Sequence, residues 1–129
     1  MTAIDKYLAP QAAALTLRQK RMEILSSNIA NAATPNFKAR DIDFEGAFQQ
    51  AMTGVDKLTT TNTIHMTATS GGQNPETLYR IPLSQSLDGN TVELHVEQLK
   101  FAENATRYEA SLQFLNDRIR GLRSALRGE

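Results

Sequence analysis

Apolar residues recur in steps of four and three along the first third of the chain. Positions 4, 8, 11, 15, 18, 22, 25, 29 and 32 follow this spacing, and seven of the nine are apolar. Such a narrow seam is typical of a coiled coil rather than of a helix on a wide globular core. It predicts a helix over residues 1–33 with Leu15, Met22, Leu25 and Ile29 in its seam. Pro10 predicts either a kink or a separate segment over residues 1–9.

The last third of the chain repeats the pattern. Positions 94, 98, 101, 105, 108, 112, 115, 119, 122 and 126 are apolar in nine of ten cases. They predict a helix over residues 90–129 with Asn90 or Thr91 as its N-cap. The candidate interface residues in this seam are Phe101, Tyr108, Leu112, Leu115, Ile119 and Leu122.

The two predicted helices are about 40 and 50 Å long at ~1.5 Å per residue. Rods of this size cannot bury their seams alone, so we expect them to pair as an antiparallel coiled coil within one chain. An intermolecular bundle is the other arrangement, and the two do not exclude each other. The fold class is therefore mainly α.

Residues 34–89 differ in composition from both ends. Phe44, Ala47, Phe48 and Ala51 would share one face of a short helix, with Asp43 as its cap. After Gly54 the chain is rich in Thr, Ser, Asn and Gly, and it alternates at 63–68 and 77–83. This pattern predicts a β-hairpin across the Gly71-Gly72 turn, in a segment that is loose in an isolated subunit.

Composition narrows the possible functions. The chain has 129 residues, the length of one domain, and its 14 basic and 14 acidic side chains cancel, which does not favour nucleic acid as a partner. Residues 1–40 carry +4 and residues 41–100 carry −5, a difference that would suit head-to-tail contact as well as ordinary surface scatter. There is no Cys and no apolar run of 18 residues. The N-terminus lacks the apolar core of a cleavable signal peptide.

No residue pattern indicates catalysis. His65 and His95 are the only histidines and lack metal-ligand spacing, so we interpret both as surface or interface residues. The alternating carboxylates Asp41, Asp43 and Glu45 are interpreted as a solvated strand edge that leads into a helix cap. We therefore predict no catalytic residue, no cofactor, no metal and no small-molecule substrate.

A short stretch after the first seam carries a family resemblance. Asn28-Ile29-Ala30-Asn31, Thr34-Pro35-Asn36-Phe37-Lys38-Ala39-Arg40 and Phe44 resemble the flagellar basal-body rod protein signature, roughly N-I-A-N-x-x-T-P-G-Y-K. Gly89-Asn90-Thr91-Val92, Glu97, Asn104 and Tyr108 resemble the C-terminal helix of the short, proximal members of that family. Asn36 replaces the usual Gly, Phe37 replaces Tyr, and Ala33 stands where Asp is common.

The resemblance implies a structural subunit of the flagellar basal body, in the proximal rod, whose terminal helices form a coiled coil around a central channel. It implies export without a cleaved signal, polymerisation in the periplasm, and a part in the hollow shaft that transmits torque. The implied partners are other copies of the chain, other rod proteins, the adaptor protein FliE, and the membrane ring and export gate. The alternative is a soluble helical binding module, such as an export chaperone or a coiled-coil regulator.

Within this interpretation the signature stretch acts through its shape. Thr34-Pro35 ends the first helix because Pro disfavours the helical state before it. Asn36 permits a left-handed turn and Phe37 anchors it. The amides of Asn28 and Asn31 would either bond to a neighbouring chain or belong to a solvated helix end.

Overall fold

The computed structural model describes residues 3–53 and 77–128. It contains three helices, α1 (Ala3–Ala30), α2 (Phe44–Thr53) and α3 (Leu94–Arg127), and two short strands, β1 (Arg40–Ile42) and β2 (Thr77–Tyr79). The predicted fold class is confirmed, because the two long terminal helices pack on each other, with a short helix and a small two-stranded sheet formed by the middle of the chain.

The two long helices run antiparallel. Contacts near the start of α1 reach the end of α3, where Arg118 bonds to the Tyr7 carbonyl. Contacts near the end of α1 reach the start of α3, where Asn28 bonds to Glu97. This order requires opposite directions, as the paired apolar seams predict.

Helix α1 differs from its prediction at both ends. It continues through Pro10, so the separate segment over residues 1–9 is wrong. Pro10 deprives the Lys6 carbonyl of its helical bond, but Lys6 is exposed and water can satisfy that oxygen. The helix ends at Ala30 instead of residue 33, since the N–H of Asn31 bonds to the carbonyls of both Ser27 and Asn28 and tightens the last turn.

Helix α3 begins at Leu94, with Glu93 in the N-cap position and no side-chain cap bond. The prediction of Asn90 or Thr91 as the cap is wrong, because both side chains bond to the segment that follows α1. At the other end Gly128 adopts φ 76° and its N–H bonds to the Ser124 carbonyl, a left-handed C-terminal cap.

The small sheet joins distant parts of the chain. β1 and β2 are antiparallel, with Arg40 opposite Tyr79 and Ile42 opposite Thr77. Part of the predicted strand 77–83 is therefore present, but its partner is β1. The predicted hairpin partner 63–68 and the Gly71-Gly72 turn lie outside the described residues.

The short helix α2 is confirmed. Asp43, directly before it, accepts the N–H of Gly46, as expected of a cap. All four apolar residues predicted for its inner face are half-buried. This face packs on α1, so α2 covers a side of α1 that α3 leaves free.

The apolar core is small. Among the described residues, only four apolar side chains are fully buried, namely Leu17, Leu25, Ala39 and Ile42. Leu17 and Leu25 belong to α1, and Ala39 and Ile42 lie just before and at the end of β1. Four polar residues are equally buried: Asn28, Asn90, Glu97 and Asn104. The centre of this protein is therefore as polar as it is apolar.

Candidate functional site

Four charged side chains from different parts of the chain meet between the long helices, and we call them the charge cluster: Arg21, Asp41, Arg80 and Glu97. Arg21 on α1 donates to both carboxylate oxygens of Asp41, at 2.8 and 2.9 Å. Arg80, directly after β2, donates to Asp41 at 2.6 Å and also to Glu97 on α3. The expectation of a solvated strand edge is thus wrong for Asp41, because two guanidinium groups cover it.

The charges in the cluster stabilise one another. Burial alone would raise the pKa of Asp41, but hydrogen bonds from Arg21, from the Ile42 N–H and from Arg80 bring the pKa below its ordinary value. The hydrogen bond to Asp41 raises the pKa of Arg21 in return. The two cations and two anions of the cluster balance, and Lys100 adds a further positive charge 4.0 Å from Asp41. The cluster joins α1, β1, the end of β2 and α3.

Asn28 links the cluster to the backbone of β1. Its amide nitrogen donates to the Arg40 carbonyl at 2.7 Å and to Glu97 at 3.0 Å, and its oxygen accepts the Arg40 N–H at 3.1 Å. The residue is 1% exposed. The expectation of a solvated helix end is therefore wrong for Asn28, whose amide bonds within the chain. Asn31 also bonds locally, to Ser27 and Thr34.

A column of polar side chains on α3 faces α1 at every seventh position: Glu97, Asn104, Ser111 and Arg118. Besides the bond between Glu97 and Asn28, the Asn104 amide donates to the Arg18 carbonyl at 2.8 Å. One heptad further, the Ser111 hydroxyl accepts from the Arg18 side chain at 3.0 Å.

The last member of the column reaches the start of α1. Arg118 donates to the Tyr7 carbonyl at 3.1 Å, and its guanidinium carbon lies 4.7 Å from the Tyr7 ring centroid. The two long helices are thus joined by polar contacts along most of their length.

Because the polar column faces α1, only one half of the predicted apolar seam of α3 faces α1 as well. Phe101, Tyr108, Leu115 and Leu122 lie beside the polar column and are half-buried, as a seam requires. The other half of the predicted seam, at positions 98, 105, 112, 119 and 126, lies further around the helix from the column. Its three large residues are exposed: Leu112 by 41%, Ile119 by 39% and Leu126 by 83%. We call these three residues the α3 stripe.

The seam of α1 is better covered. Leu25 is completely buried, and Leu15, Met22 and Ile29 are half-buried. Sequence analysis missed Leu17, which is only 6% exposed. Its burial follows from a second contact face on α1, since α1 packs against α2 and β1 as well as α3.

The contact between α1 and α2 includes a stacked set of flat groups. The guanidinium carbon of Arg18 on α1 lies 4.6 Å from the ring centroid of Phe44. Phe44 in turn stacks on Phe48, with ring centroids 6.1 Å apart. Arg18 therefore contacts both α2 and α3, since the same side chain donates to Ser111 on α3.

The turn after α1 is held by a residue far along the chain. The Asn90 amide nitrogen donates to the carbonyls of Asn31, Ala32 and Thr34, at 3.1, 2.9 and 2.9 Å. These oxygens lie just beyond the helix end, where intrahelical donors run out. Asn90 therefore acts as a side-chain cap for the C-terminus of α1, while Thr34 and Pro35 themselves are exposed.

Two left-handed residues bring the chain segments together at this turn. Asn36 has φ 60°, which confirms the predicted left-handed turn, and Gly89 has φ 73°. A Cβ atom at Gly89 would come within 2.6 Å of the Asn36 side-chain oxygen. The positive φ of Gly89 together with this close approach favours Gly at this position.

Backbone hydrogen bonds continue this approach in both directions. The Asn36 N–H bonds to the Asp88 carbonyl, and the Thr91 N–H bonds to the carbonyl of half-buried Phe37. The Ala39 N–H bonds to the Thr91 hydroxyl. Residues 36–39 and 88–91 thus form a bonded pair of segments, which we call the junction.

The histidines and carboxylates of the described residues are not grouped as a metal site. Within 3–53 and 77–128, no three side chains of the His, Cys, Asp or Glu type are grouped to hold a metal ion. His95 is exposed, as expected, and His65 lies outside the described residues. No helix in the described part is long and apolar enough to cross a membrane.

The signature stretch is also found by comparison with known families. Residues 11–38 match the model of the family described as "Flagella basal body rod protein". This range covers most of α1 and the turn that Asn90 caps. The comparison therefore defines the class as that of flagellar basal body rod proteins, and the match reaches into the junction.

Relatives that match over nearly their whole length narrow the family from rod proteins in general to one kind of rod protein. A flagellar basal body rod protein FlgB of Cereibacter sphaeroides is 53% identical over 129 residues and covers 100% of both chains. FlgB of Escherichia coli (strain K12) is 42% identical over 130 residues, covering 95% of this chain and 94% of its own. FlgB of Salmonella typhimurium is 40% identical over 132 residues, with 97% and 96% covered.

The chain belongs to the FlgB family of flagellar basal body rod proteins. It is a structural subunit of the proximal rod in the flagellar basal body, where it assembles with other rod components. The fold agrees with such a role, since the charge cluster, the Asn90 cap and the junction all serve to hold chain segments in place.

Proposed function

We propose that this subunit polymerises by burying the α3 stripe against neighbouring subunits, and that it acts without catalysis, cofactor or small-molecule substrate. The exposure of the stripe is the observation that carries the proposal. Leu112, Ile119 and Leu126 follow a heptad spacing that is typical of a helix–helix contact, yet α1 packs on the neighbouring face. Each such side chain contributes roughly 1.5–3 kcal/mol when it is fully buried.

The antiparallel pair of α1 and α3 would form the wall of a hollow shaft that lines the export channel and transmits torque. In this arrangement the remaining predicted interface residues act in two ways. Those of the α1–α3 seam keep each subunit rigid, and those of the turn, Thr34 to Phe37, direct the chain from the inner wall to its outer contacts. The charge cluster supports torque transmission because it ties the hairpin to both long helices.

We further propose that the chain leaves the cytoplasm through the flagellar export apparatus without a cleaved signal and assembles in the periplasm. There it would contact other copies of itself, the adaptor protein FliE, the membrane ring and the export gate. One sequence feature supports this route: a chain without Cys can be threaded unfolded with no disulfide to reduce.

Substitutions in the stripe test the proposal. Ile119→Asp and Leu112→Asp place a charge where a neighbouring subunit would pack, so we expect synthesis and export to continue while rod assembly and motility are lost. Gln113→Asp is the matched control, because it adds the same charge at an exposed position of α3 off the stripe. Circular dichroism of the purified variants checks that the subunit still folds. Normal motility in both stripe variants would refute the proposal.

A further inference from the structure

A second exposed apolar surface lies between β2 and α3, and we call it the loop patch: Ile81, Leu83 and Leu87. Ile81 is 90% exposed, Leu83 is 91% exposed, and Leu87 is completely exposed. The surrounding backbone is fixed: the Leu83 N–H bonds to the Glu93 carboxylate, and the Gly89 N–H bonds to the Ser86 carbonyl. Three large apolar side chains on a fixed loop are typical of a contact surface.

The loop patch and the far end of the α3 stripe lie at opposite ends of the molecule. The loop patch is anchored to Glu93, next to the first residue of α3, whereas Leu126 lies in the last turn of the helix. The helix from Leu94 to Leu126 spans about 48 Å at 1.5 Å per residue. The two surfaces therefore cannot meet within one chain, but they can meet between two chains.

The charges around the two surfaces are complementary. The loop patch is bordered by the carboxylates of Asp88 and Glu93, with one cation, Lys38, bonded to the Gly89 carbonyl beside Asp88. Hydrogen bonds from the Ser86 hydroxyl and the Asn90 N–H lower the pKa of Asp88, so this group is ionised at neutral pH. At the other end Leu126 is bordered by two exposed cations, Arg123 and Arg127. We call Arg123, Leu126 and Arg127 the α3 tip.

We propose that the loop patch of one copy docks on the α3 tip of a second copy, so that subunits contact head to tail. The apolar side chains would meet at the centre, with Asp88 and Glu93 facing Arg123 and Arg127 at the rim. This proposal rests on the proposed polymerisation and adds the two surfaces that carry one of its contacts. A head-to-tail contact leaves one free surface at each end, so it adds further subunits, as a ring or as an open helix, instead of closing as a two-fold dimer.

The contact is small, since it centres on the three side chains of the loop patch and Leu126. Stable interfaces bury about 1,200–2,000 Å² in total. A single contact of this kind is therefore weak, and in a rod it would act together with the lateral contacts of the α3 stripe. Purified subunits should accordingly show weak, salt-dependent association at high concentration, because the rim pairs are exposed and screened by salt.

Disulfide trapping tests which surfaces meet. The chain contains no Cys, so single-cysteine variants carry one thiol each. A mixture of the full-length Leu87→Cys and Leu126→Cys variants should form several-fold more disulfide-linked heterodimer than a mixture of Leu87→Cys and Gln113→Cys. The control thiol lies on the same helix, exposed but away from the tip. Equal yields in the two mixtures would overturn the proposal.

A charge exchange gives a second, independent test by sedimentation velocity. Asp88→Arg should weaken self-association by about tenfold, Arg123→Glu should do the same, and the double variant should regain most of the loss. Asp88→Asn is the control for folding, since it keeps an acceptor for Ser86 and Asn90. Failure of the double variant to recover would overturn the docking model. Loss of motility in the Ile119→Asp variant would still support the proposed function, so the two proposals fail separately.

Discussion

The charge cluster makes a sharp prediction about Arg80. Glu97 is 0% exposed, and its charge is matched by Arg80 together with a bond from Asn28. Arg80→Met keeps most of the aliphatic length and leaves the carboxylate of Glu97 buried without a cation. Breaking a buried ion pair in this way costs about 3–5 kcal/mol. Since a small domain has only about 5–15 kcal/mol of stability, the variant should lose a large part of its folded population.

A second substitution separates the cost of the unpaired charge on Glu97 from the cost of the lost hydrogen bonds. In the double variant Arg80→Met/Glu97→Gln, a neutral amide replaces the unpaired charge, and its oxygen can still accept the bond from Asn28. We expect this double variant to recover at least about 2 kcal/mol of the loss, since the remaining cost is that of neutral hydrogen bonds. Part of the effect of Arg80→Met also arises at Asp41, but that carboxylate keeps both bonds from Arg21.

Urea unfolding followed by circular dichroism at about 222 nm measures these free energies. Arg40→Met is the matched control, because the Arg40 side chain is exposed and lies outside the charge cluster. It should change the free energy of unfolding by less than about 0.5 kcal/mol. An equally mild effect of Arg80→Met would refute the assigned role of this residue. So would a double variant as unstable as the sum of the two single variants.

Three further predictions concern the cap, the pH dependence and the isolated chain. Asn90→Ala removes the donor to three carbonyls at the end of α1 and should lower the free energy of unfolding by about 1–3 kcal/mol in urea titrations. The pKa of Asp41 is lower in the folded chain than in the unfolded chain. Its contribution to folding stability is therefore present above the unfolded pKa of about 4 and disappears as the pH falls through the folded value. The melting temperature should drop in acid, and Asp41→Asn should reduce this pH dependence. Hydrogen exchange of the purified monomer should show weak protection over residues 115–126, where the stripe lacks a partner, whereas strong protection throughout 92–126 would favour a self-sufficient binding module.

The sequence predicted the helices because their signal is repeated over many turns. Nine of ten apolar positions at heptad spacing leave little room for another structure over the α3 region. The left-handed turn at Asn36 was also predictable, since a residue of this type tolerates positive φ. These features depend on local backbone preferences, and local preferences can be read from neighbouring residues.

The polar contacts were not predictable in the same way. Asp41, Arg80 and Glu97 are separated by 39 and 17 positions. Each is a charged residue of the kind that is usually found on a solvated surface. The sequence nevertheless contains one signal that was missed: the polar column of α3 repeats at intervals of seven, beside the apolar half that contains Phe101 and away from the half that contains Leu112. A helix with such a pattern can serve two partners, because α1 takes the polar column and only one apolar half.

The polar column explains why the α1–α3 pair adopts one register. Apolar seams tolerate a shift by a whole heptad, because Leu, Ile and Met fill one another's positions at little cost. A shift of seven residues would place Glu97 opposite a different turn of α1, away from Asn28, and would leave a buried carboxylate without its partners. Buried polar groups fix the register of other coiled coils in this way.

The same geometry makes the long helices depend on the junction. Arg80 reaches Glu97 only when β2 is paired with β1, and Asn90 caps α1 only when residues 36–39 are bonded to 88–91. The α1–α3 pair therefore gains its full stability only when the chain between them has docked. For a rod subunit this coupling has a mechanical consequence. A force applied to the two-stranded sheet is passed to both long helices through the charge cluster, so the sheet and the helices move together.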